Sequence, residues 1–301
     1  MTESNKTRYY SIGGIRFQAN ILSPFFDFDD KGGSHLFQNS PSSNTPLWIL
    51  NINSCNENTL NSWTEVFKGS EKFEKDLPYK WSVIKQDNLE GIYAEFEDKT
   101  FIDKAVCYIN TKEQTVDIQV KHSTIKNHLL DPFFHPLGIL LLQYIVHFYG
   151  GFVIHASTVD FKGRGYLFSA VSGTGKSTMA GLWQKCGATI INDDRLIIMP
   201  GSNGFQAFNT PMPFYQDKNK NVLLHKLFLI KQSPDNYLKK LPTLKGALGL
   251  MGNCMQFQYN EAQVQNRLNA LLSLSESCGV YECGFKPDTE IVELILNEFG
   301  E

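Results

Sequence analysis

The sequence predicts an α/β (α+β) chain in two domains, a β-rich part over residues 1–128 and a mixed-sheet part with helices over 129–301. Three observations lead there. Much of residues 7–125 alternates apolar and polar side chains with the period of half-buried strands. Residues 166–194 pass through an apolar run, a loop of small residues, a short helix pattern and a second apolar run ending in two aspartates. The strand patterns 152–161 and 166–170 are joined only by Lys162-Gly163-Arg164-Gly165, a turn that makes them an antiparallel pair.

Composition bounds the classes open to the chain. Its 301 residues suffice for one large domain or two ordinary ones, and 42% hydrophobic with 20% charged residues is the balance of a soluble globular protein. A net charge of −3 offers no broad basic surface, so neither nucleic acid nor an anionic membrane is an expected partner. The six cysteines form no C-x-x-C pair and read as reduced thiols. The opening residues MTESNKTRYY lack the apolar core of a signal peptide, and with those thiols they point to a cytoplasmic protein. Residues 132–159 hold no Lys, Arg, Asp or Glu, which is membrane-span length. His135, Pro136, Gln143, His147, the Gly150-Gly151 pair and His155 interrupt that stretch, so a buried helix followed by a buried strand is expected.

In the first domain, Ile92, Ala94 and Phe96 alternate with Tyr93 and Glu95, and Val116, Ile118 and Val120 with Asp117 and Gln119. Residues 105–120 form a hairpin pattern about the turn Asn110-Thr111-Lys112-Glu113, and 15–21, 46–53 and 81–84 are further strand candidates. Residues 37–45 read as a polar loop. The aromatic residues Tyr9, Tyr10, Phe25, Phe26, Phe28, Trp48, Trp63 and Trp81 suit the core of an antiparallel sheet better than a recognition surface. No residue pattern in this domain carries a nameable chemistry.

The second domain opens at Asp131-Pro132, an N-cap and a first-turn proline, with a helix expected to run to about Tyr149 and to stop at Gly150-Gly151. A strand over 152–161 follows, then the return strand 166–170, a helix over 177–185 closed by Gly187, and a strand over 188–191. Residues 196–199 and 205–208 flank a tight turn, and 224–231 and 237–241 are further strands. The pattern over 244–275 is helical, 280–285 is a strand, and Asp288 caps a last helix over 289–299.

The loop Ala170-Val171-Ser172-Gly173-Thr174-Gly175-Lys176-Ser177, followed by Thr178, differs at one position from the phosphate-cradling pattern G-x-x-x-x-G-K-S/T, with Ala170 in place of the first glycine. Its small residues let backbone N–H groups turn inward around a polyphosphate, and the following helix points its positive end the same way. Lys176 then reaches the terminal phosphates and the Ser177 hydroxyl joins the shell of a magnesium ion. Ala170 touches only turn geometry, whereas Gly175, Lys176 and Ser177 make the contacts. Asp193 and Asp194 follow at a strand end, where one carboxylate can serve the metal and the other can take a proton. By itself such a pair also reads as a solvated turn. His155 alone reads as a core histidine, but the hairpin returns it toward the loop.

His155-Ala156-Ser157, the loop from Ala170, and Asp193-Asp194-Arg195, in this order and spacing, resemble the HPr kinase/phosphorylase family, a group akin to phosphoenolpyruvate carboxykinase. The resemblance covers roughly 131–301. It implies a P-loop domain of that type, with ATP as phosphoryl donor and Mg²⁺ as cofactor. It also implies a hydroxyl-directed kinase whose acceptor is a serine-like group, a small molecule or a peptide. Residue by residue, it implies that Lys176 and Ser177 bind phosphates and magnesium, that Asp193 is the general base, that Asp194 supports the metal, and that His155 orients the aspartate–phosphate region, with Arg195 matching the arginine after the pair. The only arginines after Asp194 are Arg195 and Arg267, so no counterpart of the family's arginine-bearing C-terminal signature is present, and the resemblance does not extend to phosphorolysis or to HPr as substrate.

Two other readings compete with this one. A carboxykinase-like enzyme needs a second metal site with His and Lys ligands and an arginine for a substrate carboxylate, and no such cluster stands out. A non-catalytic nucleotide-gated binding module is opposed by the intact set Lys176, Ser177, Asp193 and Asp194. The expected partners are a nucleotide and an unidentified hydroxyl acceptor (small molecule, peptide or protein), with a second copy of the chain as a further candidate.

Overall fold

A computed structural model describes residues 6–41, 47–55, 63–69, 79–96, 102–122, 128–133, 137–211, 220–255 and 260–300. The chain divides into two compact units, residues 1–142 with 211–218, and residues 143–210 with 219–301. The first unit therefore runs past residue 128. Residues 42–45 of the expected polar loop lie outside the described residues.

The first unit contains β1 (Lys6–Ile12), β2 (Ile15–Ile21), β3 (Phe26–Phe28), β4 (Trp48–Ser54), β5 (Thr64–Lys68), β6 (Tyr79–Gln86), β7 (Leu89–Phe96), β8 (Ile102–Asn110), β9 (Thr115–His122) and β10 (His128–Leu130). Eight of these form one sheet in the order β1-β2-β4-β9-β8-β7-β6-β5, while β10 pairs β3. The expectation of an antiparallel sheet is corrected: β2–β4 and β4–β9 are parallel. Alternation sorts the faces as expected. Phe17, Ala19, Leu50, Ile52, Val116 and Ile118 are buried. On the other face Thr7, Asn20, Asn51 and Asp117 are hydrogen-bonded side chain to side chain across four strands. Of the aromatic residues, Tyr10, Phe26, Phe28 and Trp48 are in the core, and Tyr9, Phe25, Trp63 and Trp81 are half-buried.

The helix expected from Asp131 begins instead at Gly138, as α1 (Gly138–Phe148). The Asp131 carboxylate accepts from the Phe133 amide, but it also takes the amide and hydroxyl of Ser34, far away in sequence. Gly150, at φ +72°, ends the helix, and Gly151 is required because a Cβ there would stand 2.7 Å from the Ile198 carbonyl. Among the described residues no helix is long and apolar enough to cross a membrane.

The second unit is built on β11 (Phe152–Phe161). It continues with β12 (Arg164–Ser169), α2 (Lys176–Lys185), β13 (Thr189–Asn192), β14 (Arg195–Gly201), β15 (Gly204–Asn209), β16 (Asn221–Gln232) and β17 (Tyr237–Lys240). The helical pattern expected over 244–275 is two helices, α3 (Thr243–Met251) and α4 (Glu261–Cys278). Between them β18 (Cys254–Met255) pairs with β11, and Asn260 caps α4 by accepting from the Gln263 amide. The unit closes with β19 (Val280–Phe285) and α5 (Glu290–Phe299).

The sheet is mixed, as expected. β11 pairs antiparallel with β12 and β14, whereas β12, β16 and β19 run parallel. Pairings β11–β12, β12–β16, β16–β15, β15–β14 and β14–β11 return to their starting strand, so these five close a ring. One apolar cluster packs α2 and α5 on this framework through Met179, Trp183, Ile291 and Ile295, and another packs α3 and α4 through Leu250, Leu271 and Leu274. Trp183 is fully buried and stacks on Tyr166 at 4.5 Å. Such a pair is worth about 0.5–1.5 kcal/mol beyond its buried area, and it fixes α2 against β12.

Candidate active site

The loop from Ala170 to Gly175 joins β12, in mid-sheet, to the buried face of α2. Gly173 and Gly175 have φ of +80° and +113°, values that only glycine adopts without strain. A Cβ on Gly175 would also stand 3.0 Å from the Phe285 ring. Ala170 has no positive φ and is buried in the α2 cluster, so this position asks for a small apolar residue and not for glycine.

The start of α2 leaves its donors uncommitted. Gly175 is the N-cap residue and supplies no side-chain cap, and the first helical bond runs from Met179 N to Gly175 O at 2.9 Å. Among the described residues nothing accepts from the amides of Gly175, Lys176, Ser177 or Thr178. Ser177 and Thr178 are exposed. Lys176 is 6% exposed, and its Nζ donates to the Ala170 and Val171 carbonyls at 2.9 and 3.2 Å. Burial pushes its pKa down, against an opposing pull from Asp194. An ammonium held by two neutral carbonyls at the positive end of a helix is only partly offset by the Asp194 charge, and a bound anion would neutralise it further.

β11 brings the other groups to the same place. His155 and Ser157, two apart on a strand, share a face, and the Ser157 hydroxyl donates to the Lys176 carbonyl at 3.1 Å. His155 Nε2 lies 3.5 Å from Asp194 Oδ1, and Arg195 Nε lies 3.7 Å from Asp194 Oδ2. Burial lowers the His155 pKa first, then the charge of Lys176 and, more weakly, that of Arg195, against an upward pull from Asp194. The ring is thus neutral near pH 7.

His155, Lys176, Asp194 and Arg195 form one electrostatic cluster, and Asp193 adjoins it through the chain. The Asp194 carbonyl accepts from Ala156 N at 3.1 Å, and its amide donates to the buried Asn192 side chain at 2.8 Å. Thr210 Oγ1 donates to the Arg195 carbonyl at 2.9 Å, and Asn253 O accepts from His155 N. Sequence reasoning missed Ser157, Asn192, Thr210 and Asn253 as supports. Ser157 could have been found from its period-two spacing to His155, and Asn192 from the N-x-D spacing of an Asx turn. Thr210 and Asn253 carry no local signal.

Among the described residues no three His, Cys, Asp or Glu side chains gather as a metal-binding group. Magnesium does not need one, since it keeps several waters and takes one or two carboxylates alongside substrate phosphates. The half-exposed Asp194 carboxylate and the exposed Ser177 hydroxyl fit that demand.

Residues 137–275, which include every candidate site residue, match the family model described as SynChlorMet cassette protein ScmC. This is a different family from the one the motifs resemble. Among solved structures, the Hpr(Ser) kinase/phosphatase from Coxiella burnetii aligns with a TM-score of 0.28 and 10% identity, over 50% of this chain and 99% of that one. Among curated proteins none matches.

Proposed function

We propose that this chain is a magnesium-dependent kinase with a P-loop domain of the HPr kinase type, transferring the γ-phosphoryl group of ATP to a hydroxyl in the cytoplasm. The observation that carries the reading is the uncommitted amide set of Gly175 to Thr178 around the buried Lys176 ammonium, one strand away from His155 and Asp194. Six free cysteines agree with a reducing compartment.

In this reading the loop amides and Lys176 bind the β and γ phosphates, with Lys176 leaving the Ala170 and Val171 carbonyls to do so. Ser177 and Asp194 would hold the magnesium ion, which when bound offsets phosphate charge. The acceptor oxygen forms a bond to the γ-phosphorus as the bond to the bridging oxygen breaks. Asp193 takes the hydroxyl proton and ADP departs. His155 orients Asp194, and Ser157 and Asn192 hold the two halves of the site in register. Little covalent chemistry is asked of the protein, so positioning and charge supply the rate.

The test is incubation with magnesium and γ-labelled ATP in the presence of a cell extract, following label into an acceptor. Lys176→Ala is expected to abolish nucleotide turnover, and Asp193→Asn to bind nucleotide but not transfer. Full transfer by Asp193→Asn would remove the base assignment, and turnover by Lys176→Ala would remove the reading itself.

A further inference from the structure

We propose that Arg195 anchors an oxyanion, a carboxylate or a phosphate, carried by the hydroxyl acceptor; this deepens the kinase reading above and rests on it. Arg195 is the first residue of β14 and lies directly opposite His155 in the antiparallel pair β11–β14. Opposed residues in such a pair project to the same face, so the two side chains stand side by side. That face belongs to the loop, because Ser157, two residues beyond His155, touches the Lys176 carbonyl.

The guanidinium is under-used where it stands. Among the described residues its one polar contact is the 3.7 Å approach of Nε to Asp194, which leaves the Nη pair of the fork without a partner there. The side chain is 27% exposed, so the fork is reachable from solvent yet partly desolvated. Its backbone is held on both sides. Thr210 donates to its carbonyl, and the preceding residue is pinned through both its amide and its carbonyl. A planar fork carried on a backbone fixed in this way suits two-point recognition of a carboxylate or phosphate.

The donor does not need this group. Lys176 and the amides of α2 already face the polyphosphate, at the other side of His155. A second fixed cation beside the aspartates therefore serves the second substrate.

The experiment uses the full chain with Mg·ATP and acceptors matched in pairs, L-serine against L-serinamide and glycerate against glycerol, with glycerol 3-phosphate as the phosphate arm. Transfer to an oxyanion-bearing member is expected with kcat/KM about tenfold or more above its neutral partner, the size of a charge-assisted contact. The carboxylate and phosphate arms identify which oxyanion is taken. Arg195→Gln is expected to raise KM for that acceptor about tenfold or more, with kcat and the KM for ATP little changed, and Arg195→Lys to recover part of the loss. A purely structural role as a partner of Asp194 would instead lower kcat for all acceptors alike, which would overturn the proposal. So would equal transfer to the neutral partners, or tight ATP binding with transfer to none of the oxyanion acceptors. Failure to bind Mg·ATP at all, read as no nucleotide-induced rise in Tm, would overturn the kinase reading and this proposal with it.

Discussion

The Ser157 hydroxyl donates to the main-chain carbonyl of Lys176 at 3.1 Å, fastening β11 to the first turn of the helix that presents the phosphate loop. Both groups are fully or nearly fully buried, so the bond forms away from competing water. Ser157→Ala is expected to lower stability by about 0.5–1.5 kcal/mol, the net worth of one such bond. It should also weaken nucleotide binding, because the register between His155 and Lys176 loosens. A thermal melt with and without Mg·ATP measures both. An unchanged melting temperature and an unchanged nucleotide-induced rise would show that the contact holds nothing.

Lys176 stands where its charge costs stability. Among the described residues its ammonium, buried at the positive end of α2, donates to two carbonyls, with Asp194 as a more distant counter-charge. Lys176→Met keeps the aliphatic stem and removes the charge, so the nucleotide-free protein is expected to melt higher, by about 2–4 °C for each kcal/mol relieved. The same variant should lose the stabilisation that Mg·ATP gives the parent chain. A lower melting temperature for Lys176→Met would mean that the two carbonyl bonds outweigh the burial of charge.

How much of this was legible in the sequence depends on whether the cause was local. β11 and β19 have the bounds expected of their strand patterns, β11 lying between Gly150-Gly151 and the turn at Lys162-Gly163, and the helix after the loop starts within one residue of its expected place. The start of α1 was misplaced because the Asp131 carboxylate is used by Ser34, a partner distant in sequence. β18 was hidden inside a helical-period stretch because two residues are too few to show a period. Parallel pairing of β2, β4 and β9 leaves the same alternation as antiparallel pairing, so direction could not be read. At the site, His155, Lys176 and Asp194 were legible as types at a spacing, whereas Thr210 reaches it through the closed ring of strands and Asn253 through the pairing of β18 with β11.

Acidification should weaken the fold through its histidines. His155 and His147 have pKa values lowered from the ordinary 6.5, mainly by burial, and His128 is shifted in the same direction. A lowered folded-state pKa means the unfolded chain binds protons more readily. Their contribution is therefore fully present above the ordinary histidine value and is lost as pH falls through it toward the lower folded values. Urea midpoints are expected to fall between about pH 7.5 and about pH 5.5, where histidine titrates. His155→Gln should flatten part of that slope. Midpoints that stay level across the window in the parent chain would contradict the assignment.

The missing glycine at position 170 and the glycine at 175 make a pair of opposite tests. Ala170 lies at the end of β12 with no positive φ and its side chain in the α2 cluster, so the loop gains nothing from backbone freedom there. Ala170→Gly completes the literal motif, yet it is expected to cost about 0.5–1 kcal/mol in chain entropy and to leave ATP affinity unchanged or lower. Gly175 is held at φ +113° with the Phe285 ring 3.0 Å from where a Cβ would stand. Gly175→Ala is expected to cost about 1–3 kcal/mol as backbone strain, and to relieve it the amides of α2 must turn out of their inward set, with loss of nucleotide binding. Calorimetric titration with Mg·ATP on both variants separates these outcomes. If Ala170→Gly bound ATP more tightly than the parent chain, the first position would matter by its flexibility and the geometric reading of the loop would fail.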